Sequence, residues 1–217
     1  MRVLITAGPT REPIDDVRFI SNRSSGQMGF ALTRAAAEAG HAVTLLLGPV
    51  LMPPSVEDVA AVIRFSTTAD LEALLAEHFP ACDVLIKAAA VADYRPATVI
   101  QGKTPRSAGL KIELEPTPDL VAGCAKTKHD DQTIIAFALE EPQVLERRAA
   151  EKMQRKRVDA ILANPLQTMD APDIAPILLY ADGRRDDPGR MLKTELAAWL
   201  ISRIPAVRQP STSIHNA

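Results

Sequence analysis

The sequence has little of what marks nucleic-acid-binding or disulfide-stabilised proteins. Its 217 residues carry a formal net charge of -2, whereas a protein that neutralises many backbone phosphates needs a clear basic excess. Its two cysteines, Cys82 and Cys124, stand alone in apolar stretches without metal-ligand spacing. We therefore expect no nucleic-acid partner, no disulfide framework, and two buried thiols in a reducing compartment.

Long apolar runs and a signal-peptide pattern are also missing. Met1 leads directly into a strand-like run at 2–6, without the charged, apolar and small-residue sections of a signal peptide. No apolar run approaches membrane-spanning length. With 47% apolar and 24% charged residues, the composition is typical of one ordinary globular domain, which we expect to be cytoplasmic and free of the membrane.

What the sequence does contain is an alternation of short apolar runs and helical patterns. This order is typical of parallel strands joined by crossover helices. In the first hundred residues the predicted strands are 3–6, 42–47, 62–65 and 84–88, and the predicted helices are 28–39 and 69–78. The predicted fold is a doubly wound, Rossmann-like α/β domain over 1–204, with its ligand at the carboxyl ends of the strands.

The segment 94–109 is rich in glycine and proline and has too little apolar content for a core element. It is predicted to be a long loop, either a substrate flap or a merely mobile excursion. Beyond it we predict strands at 110–114, 133–138 and 160–163, helices at 118–126 with Thr117 as cap, 143–156 and 191–204, and a late β-hairpin around 177–183. Residues 205–217 are predicted to be a disordered tail.

Two clusters of small residues precede the first predicted helix and suit anion binding. The first strand runs into a loop containing Gly8, and the cluster 21–26 directly precedes the helix. Glycine allows the backbone to approach a phosphate, and the amides at a helix N-terminus donate to it. Ser24 and Ser25 either bind such a phosphate or cap the helix, and Asn22 either binds a carbonyl oxygen or occupies a turn.

Several charged residues could line the same site. Asp93 follows a run of tiny side chains and could accept from a ribose or base, hold a metal, or simply end a strand. Lys103 and Arg106 lie on the predicted flap. Lys152 and Lys156 are one helical turn apart and can converge on one polyanion, although a solvated charged face is the usual explanation of such a pair.

Five segments, taken in order, resemble the phosphopantothenoylcysteine synthetase family. They are TAGPTREPIDDVRFISNRSSGQMG at 6–29, KAAAVADYRP at 87–96, LKIELEPTPDLV at 110–121, AFALEE at 136–141 and KMQRKRVDAILAN at 152–164. The first segment is far more specific than a glycine motif. Because the match begins at residue 6, we expect no flavin-binding decarboxylase half before it.

The resemblance implies a ligase that joins 4'-phosphopantothenate to cysteine in coenzyme A biosynthesis. A nucleoside triphosphate, CTP or else ATP, activates the carboxylate as an acyl-nucleotide with loss of pyrophosphate, and the cysteine amine then displaces the nucleotide. The family implies Mg²⁺ as cofactor and a homodimer. Developing charge on the phosphate and carbonyl oxygens explains the need for lysines and amide donors, and a closing flap would exclude water.

The resemblance also implies roles for individual residues. Asn22 and Lys103 would be catalytic. The nucleotide-binding residues would be Gly8, Asp93, Lys103, Pro118, Asp119, Leu120, Val121, Phe137, Lys152 and Lys156. The substrate-binding residues would be Asn22, Ser24, Ser25, Gly26, Ala89 and Arg106.

The chain departs from the family pattern at three places. Lys103-Thr104-Pro105-Arg106 stands where the family has Lys-x-Lys-Lys, so the first lysine is kept while Pro105 stiffens the flap and Arg106 offers a planar fork. Ala136 replaces a glycine and Glu141 replaces a threonine. These changes leave the choice of nucleotide and the rate of activation open.

Two other functions suit parts of the pattern. A Rossmann oxidoreductase would share the strand, glycine loop and helix, but the second strand ends Leu45-Leu46-Leu47 without the acidic residue that would hold an adenosine ribose, and no Tyr-x-x-x-Lys pair follows. A non-catalytic nucleotide-binding module, inactive because of Pro105 and Arg106, is the second alternative. Protection by NAD(P)H rather than CTP would identify the first, and CTP binding without turnover the second.

Overall fold

A central sheet of eight strands carries helices on both faces in the computed structural model, which describes residues 1–51, 55–56, 58–106, 109–168, 171 and 173–208. The strands are β1 (Arg2–Ala7), β2 (Arg11–Pro13), β3 (Phe19–Ser21), β4 (Ala42–Leu47), β5 (Ala61–Arg64), β6 (Val84–Lys87), β7 (Tyr94–Pro96), β8 (Leu114–Pro116), β9 (Thr133–Glu140), β10 (Ala160–Pro165), β11 (Asp173–Ile174), β12 (Ile177–Tyr180), β13 (Arg185–Asp186) and β14 (Met191–Leu192). The helices are α1 (Gln27–Glu38), α2 (Thr68–His78), α3 (Leu120–Thr127), α4 (Leu145–Lys156) and α5 (Lys193–Arg208).

The order of the strands confirms the predicted doubly wound class. Across the main sheet they run β13-β12-β10-β9-β6-β1-β4-β5, and all neighbours from β10 to β5 are parallel. The chain moves from β1 outward to β4 and β5, then returns to the other side of β1 to form β6. The strand order therefore reverses between β1 and β6, which is where open α/β sheets bind ligands.

Alternate residues of β1 pack into two separate hydrophobic cores, because helices cover both faces of the sheet. Val3 and Ile5 pack with α1 and α5, while Leu4 packs with α2, α3 and α4. This double burial explains why the parallel strands read as nearly continuous apolar runs. The two cores hold the carboxyl ends of β1 and β6 in fixed positions, on which the site is built.

The predicted flap is the closed end of a hairpin that the sequence analysis missed. Tyr94–Pro96 pairs antiparallel with Leu114–Pro116. The prediction of a strand at 110–114 is thus wrong except for Leu114, and the prediction of a loop over 94–109 is wrong for its first three residues. The pairing joins two short segments far apart in sequence, so neither has a strong local strand signal.

The predicted cap of the helix after the flap is also corrected. α3 begins at Leu120, and its cap is Asp119, whose carboxylate accepts a hydrogen bond from the Ala122 amide at 3.1 Å. Thr117 instead donates its hydroxyl to the Ala92 carbonyl at 2.5 Å. Thr117 precedes Pro118, and the residue before a proline is disfavoured in the helical region, so the helix starts later.

The C-terminal helix ends four residues later than predicted. α5 runs from Lys193 to Arg208 with Pro205 inside it, so the prediction of disorder is wrong for 205–208, and the predicted tail at 209–217 lies outside the described residues. Buried Ile201 and Ile204 hold the helix on the sheet, and Arg208 donates to the Asp83 carbonyl at 2.9 Å. The late hairpin is confirmed as β12 and β13. Among the described residues, no helix is both long and apolar enough to cross a membrane.

Candidate active site

A cavity of about 880 Å³ opens at the carboxyl ends of the strands, at the point where the strand order reverses. Residues from the beginning, middle and end of the chain line it. It brings together thirteen of the predicted site residues: Asn22, Ser24, Ser25, Gly26, Ala89, Asp93, Pro118, Asp119, Leu120, Val121, Phe137, Lys152 and Lys156.

The wall between β1 and β6 is formed by the alanine-rich loop 88–92, which β1 and the loop after it hold in place. The Ala89 amide donates to Thr6 Oγ1 at 3.1 Å, and the Ala92 amide donates to Thr10 Oγ1 at 3.0 Å. Both threonines are fully buried. The loop therefore presents backbone and methyl groups to the cavity, and the two hydroxyl groups beneath it help to fix its shape.

Asn22 stands beside this wall, at the start of the small-residue cluster. Its Nδ2 donates to the Ala90 carbonyl at 3.1 Å, which fixes the amide across the mouth of the cavity. The N-cap of α1 is Gly26, in the left-handed conformation with φ 75°, and no side chain caps the helix. The alternative in which Ser24 or Ser25 caps the helix is thus wrong. The first amides of α1 lack intrahelical partners and can receive an anion.

The opposite side of the cavity carries an aromatic ring and a cluster of charges. Phe137 lies near the end of β9, and Asp119 caps α3. Lys156 pairs with the Asp119 carboxylate at 2.9 Å. Burial alone would raise the pKa of Asp119, but the hydrogen bonds from Lys156 and the Ala122 amide outweigh it and lower that pKa. Burial, with repulsion from Lys156, lowers the pKa of Lys152.

Among the lining residues that were not predicted, two are polar residues near the ends of central strands. Lys87 ends β6 and donates its Nζ to the Ala89 carbonyl at 2.9 Å; burial lowers its pKa to about 8, with further repulsion from Lys156 and Lys152. Asn164 is 7% exposed at the end of β10, and its Oδ1 has no partner among the described residues. For both residues the sequence signal that could have indicated a site was a single polar residue near the end of an apolar strand.

Three predicted residues do not line the cavity. Gly8 lies just beneath it, where its carbonyl accepts from the Ala90 amide at 2.9 Å and its φ of +79° disfavours a side chain. Lys103 and Arg106 are exposed on the flap.

The flap is held by the turn between β2 and β3. The Thr104 amide donates to Asp15 Oδ2 at 3.1 Å, and the Gly102 amide donates to Asp16 Oδ2 at 3.0 Å. The Asp15 carboxylate is buried and paired with Arg18. The hydrogen bond from Arg18, helped by three backbone amides and opposed by burial, holds the pKa of Asp15 far below its usual range.

The charged residues of the cavity fit a magnesium ion that arrives with phosphate. Within the described ranges, no cluster of three or more His, Cys, Asp or Glu side chains could hold a metal. Asp93 and Asp119 are the two acidic residues that line the cavity. Mg²⁺ is usually held by one or two carboxylates together with substrate phosphates, so two carboxylates are enough.

Residues 1–207 match the family model described as DNA/pantothenate metabolism flavoprotein C-terminal domain. A cysteine/cysteine sulfinic acid decarboxylase from an unknown prokaryotic organism is 47% identical over 167 residues, which cover 76% of this chain and 46% of that protein. The coenzyme A biosynthesis bifunctional protein CoaBC of Escherichia coli (strain K12) is 39% identical over 213 residues, which cover 90% of this chain and 51% of that protein.

The crystal structure of the C-terminal domain of a CoaBC protein superimposes with a TM-score of 0.80 at 34% identity, covering 94% of each chain. The chain spans about half the length of the curated relatives it matches.

Proposed function

The chain belongs to the DNA/pantothenate metabolism flavoprotein C-terminal domain family, and we propose that it joins 4'-phosphopantothenate to cysteine as a phosphopantothenate–cysteine ligase of coenzyme A biosynthesis. The observation that carries the proposal is that Asn22, Ala89, Phe137 and Lys152 line one cavity. These residues come from separate segments of the family motif. Membership of this family favours neither an oxidoreductase nor a non-catalytic module. We assign the protein to the cytoplasm, where an enzyme of this pathway meets its substrates.

In the first step, a carboxylate oxygen of 4'-phosphopantothenate attacks the α-phosphorus of the nucleotide. A phosphorus–oxygen bond forms, the bond to the β-phosphate oxygen breaks, and pyrophosphate leaves. Lys152 and Lys156 lie where they can neutralise the triphosphate, and the amides at the start of α3 add donors. Lys103 reaches the reacting phosphates after the flap leaves its contacts with Asp15 and Asp16 and closes.

In the second step, the cysteine amine attacks the acyl carbon. A carbon–nitrogen bond forms, the carbon–oxygen bond to the nucleoside monophosphate breaks, and the amine loses its extra proton. Asn22 is fixed by its hydrogen bond to Ala90, so it can hold the acyl intermediate without reorganising. We infer that the N-terminus of α1 receives the phosphate of phosphopantothenate, since amides at a helix N-terminus favour anions.

CTP is the proposed nucleotide, with ATP as the alternative. Phe137 offers a flat ring on which either base can stack. Mg²⁺ would be held by Asp93, Asp119 and the nucleotide phosphates, and would offset phosphate charge.

A homodimer is the proposed assembly, and an exposed apolar patch supports it. The patch lies on the hairpins β2–β3 and β7–β8 and on the flap. A β-bridge between Asp15 and Ile100 joins the turn of the first hairpin to the flap. Its members are Val17, Phe19, Tyr94, Val99, Ile100, Leu110 and Leu114. Large exposed apolar surfaces mark protein–protein contact sites. Sedimentation of the wild type as a monomer at micromolar concentration would refute this assembly.

The reaction is tested by measuring pyrophosphate release from purified protein with Mg²⁺, 4'-phosphopantothenate and cysteine. CTP is compared with ATP, and each substrate is omitted in turn. Release with CTP, and amide product only when cysteine is present, is the expected result. Preference for ATP would keep the reaction but change the nucleotide. Release with neither, by folded protein that CTP protects from unfolding, would instead support the non-catalytic module.

A further inference from the structure

Lys87 is a cation placed inside the cavity without an acidic partner of its own. It is the last residue of β6, partly buried, with its Nζ within reach of the loop 88–92. Its one hydrogen bond among the described residues goes to a neutral carbonyl, that of Ala89. Within the described ranges, no carboxylate lies at ion-pair distance from it. Charged groups enclosed by protein are normally paired, so this arrangement lacks an anion.

The groups around Lys87 do not compensate its charge, since the two lysines and two aspartates near it balance one another. Lys152 and Lys156 project from α4, and Asp119 and Asp93 approach from the cap of α3 and the loop after β6. Asp119 is already paired with Lys156. The thiol of Cys124 on α3 is neutral, because burial raises its pKa to about 11. The strand neighbours of Lys87 are Thr6 and Ala136, which carry no charge.

A bound polyphosphate would supply the missing charge. Three lysines converge here beside the N-terminus of α3, whose exposed amides and dipole also favour an anion. We propose that the ammonium of Lys87 binds the phosphates of the nucleotide directly, as a third lysine beside Lys152 and Lys156. This inference rests on the proposed function, and it gives a phosphate-binding role to Lys87, to which the resemblance assigned none.

The proposal predicts a specific pH dependence of nucleotide binding. In the free protein Lys87 has a pKa of about 8, and a bound phosphate raises it. Below pH 8 the lysine is already charged and affinity is full. Above pH 8 binding must take up a proton, so between pH 7 and pH 9 the affinity for CTP should fall about 10-fold.

The test is calorimetric titration of the full chain with CTP and Mg²⁺ at pH 7 and pH 9. Lys87→Met should bind CTP about 10- to 100-fold more weakly at pH 7, the expected loss of one charged hydrogen bond, and should lose the extra decline at pH 9. Lys87→Arg should keep the affinity at both pH values. Lys126→Met, an exposed lysine on the far turn of α3, is the matched control and should behave as the wild type. The pKa of Lys152 is also lowered, but Lys152 is present in every variant. The difference in pH dependence between the wild type and Lys87→Met therefore reports on Lys87.

Three other outcomes would overturn the proposal. Wild-type affinity and an unchanged pH dependence in Lys87→Met would overturn the role of Lys87 while leaving the ligase intact. Normal CTP affinity with a loss confined to amide formation would also overturn it, and would assign the lysine to proton transfer from cysteine. Binding of neither CTP nor ATP by the wild type would overturn the proposed function, and this inference with it.

Discussion

The close contact between α1 and β1 gives a prediction whose sign depends on two opposing terms. Alanine is a better helix former than glycine by about 1 kcal/mol, so Gly29→Ala should by itself stabilise α1. A Cβ at Gly29, however, would lie 2.2 Å from the Cβ and 3.1 Å from the Cα of Ala7. Carbon atoms pack best at about 3.5 to 4.0 Å, so the helix and the strand would have to separate by more than about 1 Å.

The clash should dominate. Overpacking of a tight interface costs about 1 to 3 kcal/mol, occasionally more, so we expect Gly29→Ala to lower the free energy of unfolding by about 1 to 2 kcal/mol. Gly123→Ala in α3 is the matched control, since its Cβ would meet nothing within 4 Å. That variant should be more stable than the wild type by about 0.5 to 1 kcal/mol.

The free energy of unfolding of both variants is measured by urea denaturation, followed by circular dichroism. The midpoint concentration of urea reports the change in stability as long as the slope of the free energy against urea stays constant. A shift of α1 would also displace its N-terminus at the cavity, so the KM for 4'-phosphopantothenate should rise in Gly29→Ala and not in Gly123→Ala. If Gly29→Ala were as stable as Gly123→Ala, the reasoning about this contact would be refuted.

The remaining predictions concern the site and the flap. Asn22→Asp should still release pyrophosphate but form amide slowly, whereas Lys103→Gln should release little pyrophosphate; wild-type rates in both would contradict the assigned roles. Phe137→Ala should weaken CTP binding by about 5- to 150-fold, the value of one base stack, and unchanged affinity in a titration would place the base elsewhere. Because the pKa of Asp15 is lowered on folding, the unfolded chain takes up its proton first as the pH falls, so melting temperature should decline from about pH 5 downward. Asp15→Asn should be less stable at pH 7 and show a shallower decline; parallel melting curves from pH 7 to pH 3 would disprove the contribution of this carboxylate.

The main sheet could be predicted because its strands are buried on both faces. Nearly continuous apolar runs such as 42–47 and 84–86 signal such strands without any knowledge of their neighbours. The hairpins β2–β3 and β7–β8 could not be predicted in the same way. Tyr94–Pro96 is three residues long. Its partner strand, Leu114–Pro116, comes beside it only after the flap has reversed the direction of the chain.

Most of the candidate site followed from the motifs, but the state of its residues did not. Thr117 and Asp119 are both acceptable caps, and the choice between them depends on the proline that separates them. Lys87 looks ordinary in the sequence, since its burial and repulsion arise only when α3 and α4 are in place. The contacts of Asp15 with Thr104 depend likewise on tertiary structure.

The wall at 88–92 has a consequence for how this site can change. What it presents to a ligand is mostly peptide backbone, and no substitution alters a carbonyl or an amide directly. Its shape depends in part on Thr6 and Thr10, which are fully buried below it. Replacing either hydroxyl by a methyl, as in valine, would release one amide and let the wall move. An altered substrate range could therefore arise from two positions that a screen of ligand-contacting residues would never include.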